Sequence, residues 1–199
     1  MSAAAPGWRF DGVRVWCLPH VPGRHGEAAA RARLGETFGL PPEAVPLARD
    51  GRGRPRLDAP LAGFDCSWSH SGQRLLLALG EGVRLGVDVE FVRPRPRLLA
   101  LAARFFHPDE AAWLRDRPED ARLPAFVRLW CAKEAVLKAH GEGIAFGLEK
   151  LRFAERDGRL HLAGCAPALG APADWTLHEW VPEPGYRAAL AWRAAIIAP

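Results

Sequence analysis

The stretch from Gly82 to Val92 can be little other than a β-strand. Val83, Leu85, Val87, Val89 and Phe91 alternate with Arg84, Gly86, Asp88 and Glu90. Side chains alternate across a strand, so the apolar set forms one face and both acids share the other. Two carboxylates held this close repel unless a cation or a proton comes between them. The spacing by itself leaves two readings open: a divalent-cation site, or an acidic strand face paired with arginines. Gly86, on the acidic face, leaves room where a side chain would intrude.

A second cluster of charge follows in Trp130-Cys131-Ala132-Lys133-Glu134-Ala135-Val136-Leu137-Lys138. Glu134 and Lys138 are four apart and share a helix face, where an ordinary ion pair is worth a few tenths of a kcal/mol. The segment Pro124 to His140 reads as a helix closing at Gly141. Phe126, Val127, Leu129, Trp130, Cys131, Val136 and Leu137 leave it no wide solvent face, which implies burial on several sides. A buried acid with a lysine one turn away suits a third metal ligand beside a phosphate-binding cation. Of 27 basic residues only Lys133, Lys138 and Lys150 are lysine. Two lysines in one motif of an arginine-rich chain point to places that need a compact ammonium rather than a planar fork.

Around these motifs the chain reads as short elements. Trp8 to Leu18 is expected to be a strand, Gly26 to Gly39 a helix, and Arg49 to Pro60 a loop with turn signals at Asp50-Gly51 and Arg54-Pro55. Phe64 to Ser69 and Arg74 to Leu79 read as strands around a His70-Ser71-Gly72 turn. Arg93-Pro94-Arg95-Pro96-Arg97 favours an extended connector and divides the chain into halves, 1–93 and 94–199. Leu98 to Phe106 is a short apolar helix, and Pro108 opens another. From Leu148 to Ile197 strand patterns return at Leu151–Phe153, Leu160–Leu162, Trp175–Trp180 and Tyr186–Trp192. The halves share an inventory without a visible sequence repeat.

Composition removes several classes. The four cysteines form no C-x-x-C pair, and the seven histidines show no ligand spacing. A zinc site and a disulfide scaffold are therefore not expected. Met1 to Asp11 has no leader pattern, and no apolar run approaches a membrane span. The expectation is a reduced, cytoplasmic protein. A net charge of +4 suits an acidic partner or substrate and is too small to demand nucleic acid.

His70 lies within Ser67-Trp68-Ser69-His70-Ser71-Gly72. A serine nucleophile lacks its G-x-S-x-G elbow here, and adjacent Ser69 and His70 point to opposite sides if the strand continues. A histidine flanked by hydroxyls can hold a phosphate, or simply be a solvated turn residue.

Taken together, these segments resemble the surfactin-synthetase-type 4′-phosphopantetheinyl transferases. Gly53-Arg54-Pro55 is similar to their G-K/R-P loop, and Ser69-His70-Ser71-Gly72 to their S-H-S-G turn. Gly86-Val87-Asp88-Val89-Glu90 is similar to G-[IV]-D-[IV]-E. Arg104-Phe105-Phe106 with Glu110 resembles R-F-F…E, and Trp130 to Gly143 resembles W-[ST]-x-K-E-A-x-x-K-x-x-G-x-G. Pro184-Gly185-Tyr186 before a strand has the same likeness. The resemblance covers most of the chain in order; its specific part is the pairing of G-x-D-x-E with W-x-x-K-E-A-x-x-K.

The resemblance implies an α/β (α+β) fold: a pseudo-twofold arrangement of two similar halves, each a small sheet with packed helices, and a site between them. It implies transfer of the phosphopantetheine arm of coenzyme A to a serine of an apo acyl or peptidyl carrier protein, releasing 3′,5′-ADP. Carried over by position, Asp88, Glu90 and Glu134 bind Mg²⁺, Lys138 contacts the pyrophosphate, and His70 contacts the 3′-phosphate. Arg54 lies near the nucleotide, and Ser69, Lys133 and Arg24 complete the coenzyme-binding set. Glu134, or a water on the metal, takes the serine proton. A monomer with no nucleic-acid or membrane partner is expected.

Three positions depart from the pattern. Cys131 replaces a serine or threonine, and Ile144 replaces a leucine. His107 stands where a serine often caps the helix, which predicts a weaker cap. Two rivals remain. A metal-dependent nuclease is disfavoured because no lysine sits two residues after Glu90 or Glu134. A non-catalytic module binding carrier proteins or coenzyme A is disfavoured by the intact acids.

Overall fold

The computed structural model describes residues 7–195, so the start of the Met1–Asp11 stretch and Ile197 lie outside it. Where one strand was expected from Trp8 to Leu18, β1 (Gly7–Phe10) and β2 (Val13–Pro19) form a hairpin. The chain reverses at Asp11-Gly12, with φ of 44° and 92°, the conformation a two-residue hairpin turn requires. Helix α1 (Glu27–Phe38) ends at Gly39 as expected. The expected loop from Arg49 to Pro60 holds part of a second hairpin, β3 (Leu47–Arg49) with β4 (Pro55–Leu57). Strands β5 (Phe64–Ser71) and β6 (Arg74–Glu81) are longer than the pattern suggested. The turn moves on to Gly72-Gln73, and His70 and Ser71 become strand residues.

Strand β7 (Val83–Phe91) is followed by α2 (Leu98–Phe105), α3 (Pro108–Arg115) and α4 (Glu119–His140), then β8 (Leu151–Arg156), β9 (Arg159–Cys165), β10 (Thr176–Trp180) and β11 (Tyr186–Ala194). Helix α4 begins at Glu119 rather than at Pro124. Proline in the second turn removes one backbone donor, a local loss that the packing of the long helix outweighs. The cap at His107 is not weak. Its Nδ1 accepts the Asp109 N–H at 3.2 Å, while Glu110 Oε2 accepts the His107 N–H at 3.0 Å. A neutral imidazole nitrogen accepts much as a serine hydroxyl does, so a reciprocal capping box forms.

Four layers result, a mixed α/β architecture of small sheets and helices. A four-stranded sheet, β1-β2-β6-β5, faces a three-stranded sheet, β10-β11-β7. Between them pack Val13, Val15, Leu76 and Ala78 from the first, and Leu85, Val87, Val89 and Leu190 from the second. The outer face of the first sheet is covered by α1 through Ala30 and Leu34. The outer face of the second is covered by α4, with α2, α3 and β8 completing that core through Phe106, Leu114, Phe126 and Leu151. Such layering buries the one apolar face of each helix and both faces of each sheet. The antiparallel pairing of β7 with β11 places a strand before the Arg-Pro connector beside one near the end of the chain. Among the described residues no helix is long and apolar enough to cross a membrane.

Candidate active site

Strands β5 and β7 are edge strands of different sheets, and their adjoining edges build the site. Alternate side chains of β5 stand in for a missing partner strand. Asp65 Oδ2 accepts the Leu85 N–H at 2.8 Å, Ser67 Oγ accepts the Val87 N–H at 3.3 Å, and Ser71 Oγ accepts the Phe91 N–H at 3.1 Å. The first two satisfy edge amides that would otherwise be buried unpaired. Two hydroxyls of the series also reach the acids: Ser69 Oγ donates to Asp88 Oδ1 at 2.7 Å, and Ser71 Oγ donates to Glu90 Oε2 at 3.1 Å. The period-two run Asp65, Ser67, Ser69, Ser71 was visible in the sequence as polar alternation, and its role as an edge ladder was missed.

Helix α4 crosses the acidic face of β7 at close range. A Cβ on Gly86 would lie 2.5 Å from the Ala139 nitrogen and 2.9 Å from Lys138 Cβ, and would also strike the Ala135 carbonyl. The room left by Gly86 is filled by the helix backbone itself, which brings Glu134 and Lys138 against Asp88. Lys138 Nζ donates to Asp88 Oδ1 at 2.7 Å and to the Val87 carbonyl at 3.2 Å. No Glu134–Lys138 ion pair within 4 Å is formed, so the i,i+4 spacing does not describe the pairing. Arg95, from the connector, meets Glu90 Oε2 at 3.3 Å.

The cluster is short of positive charge. Asp88 Oδ2 and Glu134 Oε1 are buried without a hydrogen-bond partner. Burial, with Asp88 and Glu90 nearby and despite Lys138, pushes the Glu134 carboxyl up to about 7. Burial and then Asp88 also raise Glu90. Unpartnered buried carboxylate oxygens are costly, and hard oxygens of this kind are what Mg²⁺ or Ca²⁺ takes as ligands. The donors therefore fit a divalent cation in type and in need. As the side chains lie, no three Asp, Glu, His or Cys groups among the described residues converge on one ion position. Lys138 and Ser69 hold Asp88 Oδ1, while Arg95 and Ser71 hold Glu90.

The other expected site residues divide. His70 stands beside the cluster, its ring stacked on His20 with centroids 4.1 Å apart. Burial first, then the neighbouring His20, Lys138 and His25, lower its pKa. With Ser71, Glu90 and Arg93 it lines a cavity of about 340 Å³. Pro22 and Gly23 line that cavity too, but Arg24 does not. Arg54 borders a second cavity of about 230 Å³, with Arg49, Arg52, Trp68, Lys138 and Glu142. Its five N–H groups are all occupied, by Asp65 Oδ1 and Oδ2 (2.9 and 2.5 Å) and the carbonyls of Lys138, Pro55 and Leu85 (2.9, 3.1 and 3.0 Å). Arg54 clamps the end of α4 to the strands and keeps no donor for a nucleotide.

Lys133 is not at the site. It is fully buried, with Nζ 2.7 Å from Glu110 Oε2 and donating to the carbonyls of Leu148 and Leu151 at 2.9 and 2.5 Å. Five residues from Lys138, it leaves α4 on another side. Three acceptors converging on one small ammonium explain lysine here, because a guanidinium fork matches a planar pair instead. A larger cavity, about 530 Å³, opens elsewhere among Phe10, Arg159, His178 and Trp180, and none of the clustered acids lines it.

Residues 84–191 match the family model of the 4′-phosphopantetheinyl transferase superfamily. That span holds Asp88, Glu90, Glu134 and Lys138, and stops short of Arg54, Ser69 and His70. The chain is 38% identical over 170 residues to the 4′-phosphopantetheinyl transferase HetI of Nostoc sp., covering 83% of this chain and 68% of HetI. It is 32% identical over 170 residues to the 4′-phosphopantetheinyl transferase psf-1 of Bacillus pumilus, covering 84% and 69%. To AcpT of Escherichia coli, another 4′-phosphopantetheinyl transferase, it is 33% identical over 123 residues, covering 62% and 61%.

Proposed function

The chain belongs to the 4′-phosphopantetheinyl transferase superfamily, and from that premise we propose that it moves the phosphopantetheine arm of coenzyme A to a serine of an apo acyl or peptidyl carrier protein. The serine oxygen bonds to the phosphorus that carries the arm. The pyrophosphate P–O bond breaks, and 3′,5′-ADP leaves. Asp88, Glu90 and Glu134 would hold Mg²⁺, which would supply charge neutralisation at the pyrophosphate. The observation that supports this most is the pair of orphaned buried oxygens, Asp88 Oδ2 and Glu134 Oε1, on the two motifs shared with the family.

This chain's own groups have distinct tasks. Lys138, the ammonium of the cluster, meets the pyrophosphate of coenzyme A as a point charge. Glu134 accepts the serine proton; its pKa of about 7 is that of the cation-free cluster, and a bound cation lowers it. His70 contacts the 3′-phosphate, and Ser69 fixes the orientation of Asp88. Arg54 shapes the second cavity by holding α4 to the strands rather than by donating to the nucleotide. The protein acts as a cytoplasmic monomer.

The test is the mass of an apo carrier protein incubated with coenzyme A. Gain of one phosphopantetheinyl group with Mg²⁺ and none with chelator is the expected result. Tight binding of coenzyme A with no change in mass for acyl or peptidyl carriers would return the chain to a binding module.

A further inference from the structure

Tyr186 is the single tyrosine of the chain, and its hydroxyl reaches from one sheet to a turn of the other. It accepts the Gln73 N–H at 3.2 Å. The carbonyl of Gln73 is also taken from outside the turn, by the His20 N–H at 2.9 Å. The next residue, Arg74, pairs with Glu183 at 2.7 Å. The turn is pressed onto the tyrosine: a Cβ on Gly72 would lie 2.8 Å from the Tyr186 hydroxyl, and Gly72 has φ +56°. Only glycine tolerates both conditions. The ring is itself fixed, since it is 8% exposed, packs against Phe91 at 5.0 Å and stands opposite Phe91 in the β7–β11 ladder.

The turn so held carries His70 and Ser71 at the end of β5, and Ser71 grips Glu90. The Tyr186 hydroxyl is thus one of the holds on the turn that places His70 beside the acidic cluster, and it comes from the other sheet. We propose that Tyr186 is a positioning residue for the anion-binding end of the site. It acts through the Gly72-Gln73 turn on His70 and touches no substrate. This rests on the reading of His70 as the contact for the 3′-phosphate.

The experiment compares coenzyme A with dephospho-coenzyme A, which lacks the 3′-phosphate. Tyr186→Phe keeps the ring against Phe91 and removes only the acceptor. Loss of one hydrogen bond should lower kcat/KM for coenzyme A roughly three- to tenfold, through KM. The dephospho compound should be used as before, so the preference narrows. In a His70→Ala background the same change should add nothing. An equal fall for both compounds, or additive effects in the double variant, overturns the proposal and leaves Tyr186 a packing residue. If His70→Ala alone keeps the wild-type preference, the reading of His70 fails and the proposal falls with it. Should Tyr186→Phe not fold, Glu183→Gln decides, because it loosens Arg74 without entering the core. A narrowed preference there supports the positioning role, and an unchanged one overturns it.

Discussion

Helix α4 carries two ion-pairing sites built from the same residue types and finished differently. At Lys133 every polar atom is answered: the ammonium has Glu110 and two carbonyls, and Glu110 also accepts the N–H groups of Phe153 and His107. At Lys138 the ammonium serves only Asp88 and one carbonyl, facing three acids, two of which keep an orphaned oxygen. The closed site resembles a structural pair, whose desolvation is offset by complete hydrogen bonding. The open site stores electrostatic cost, and such unmet demand is what a bound cation or substrate can satisfy. Two lysines five residues apart in one motif thus belong to different jobs.

The sharpest way to break this comparison is to remove an acid from each site. Asp88→Ala is expected to fold and to lose on the order of 100-fold or more in carrier modification, as a lost metal ligand would cost. Activity retained in the presence of chelator would remove the open site from the chemistry. Glu110→Ala should do the reverse. It strands a buried ammonium and should lower unfolding free energy by about 3–5 kcal/mol, read by urea denaturation, while the folded fraction keeps kcat within a few-fold. A stable Glu110→Ala variant with collapsed turnover would mean the closed site is not merely structural.

Next in size is the pH response of the open site. Glu134 ionises near pH 7 in the folded chain and near the ordinary glutamate value of about 4.3 when unfolded. A carboxylate raised by folding binds its proton more tightly in the native state. Its contribution to stability is therefore lost as pH rises from about 4.3 through 7. Glu134→Gln lacks this loss. With chelator present its melting temperature should be close to the wild type near pH 4 and exceed it by several degrees at pH 8, at roughly 2–4 °C per kcal/mol. Equal melting curves at both pH values would show that Glu134 is not strained. The smallest effect is expected from Ser69→Ala, which removes one neutral donor from Asp88. A net hydrogen bond of about 1 kcal/mol predicts a roughly fivefold change in kcat/KM. A hundredfold loss would place Ser69 in direct contact with the substrate.

Much of this was legible in the residues. The alternation at Val83–Phe91 and the apolar girth of α4 announced both elements, and the side shared by Asp88 and Glu90 followed from their spacing; that Glu134 and Lys138 come near them was an implication of the resemblance. Boundaries slipped where a local signal was outvoted. Asp11-Gly12 turned a strand that its apolar pattern ran through, and packing carried α4 back past Pro124. Partners were less legible. Arg54, just before β4, and Asp65, in β5, lie eleven residues apart, and nothing in either segment says that their side chains form a bidentate pair.

The sequence by itself determined most of the longer elements, the side to which each acid points, the need for a residue without a side chain at Gly86, and the family likeness. The elements and the side of each acid follow from periodicity, a property of a few consecutive residues; the likeness follows from motifs met in order along the chain. Only the tertiary structure decided that Lys133 turns away to Glu110, that Lys138 answers Asp88 rather than Glu134, and that the serines of β5 finish the edge of β7. A charge pairs with whichever opposite group the packed backbone brings within a few ångströms, and the energy depends on that distance and on burial. Spacing along the chain constrains neither when the partners come from different layers.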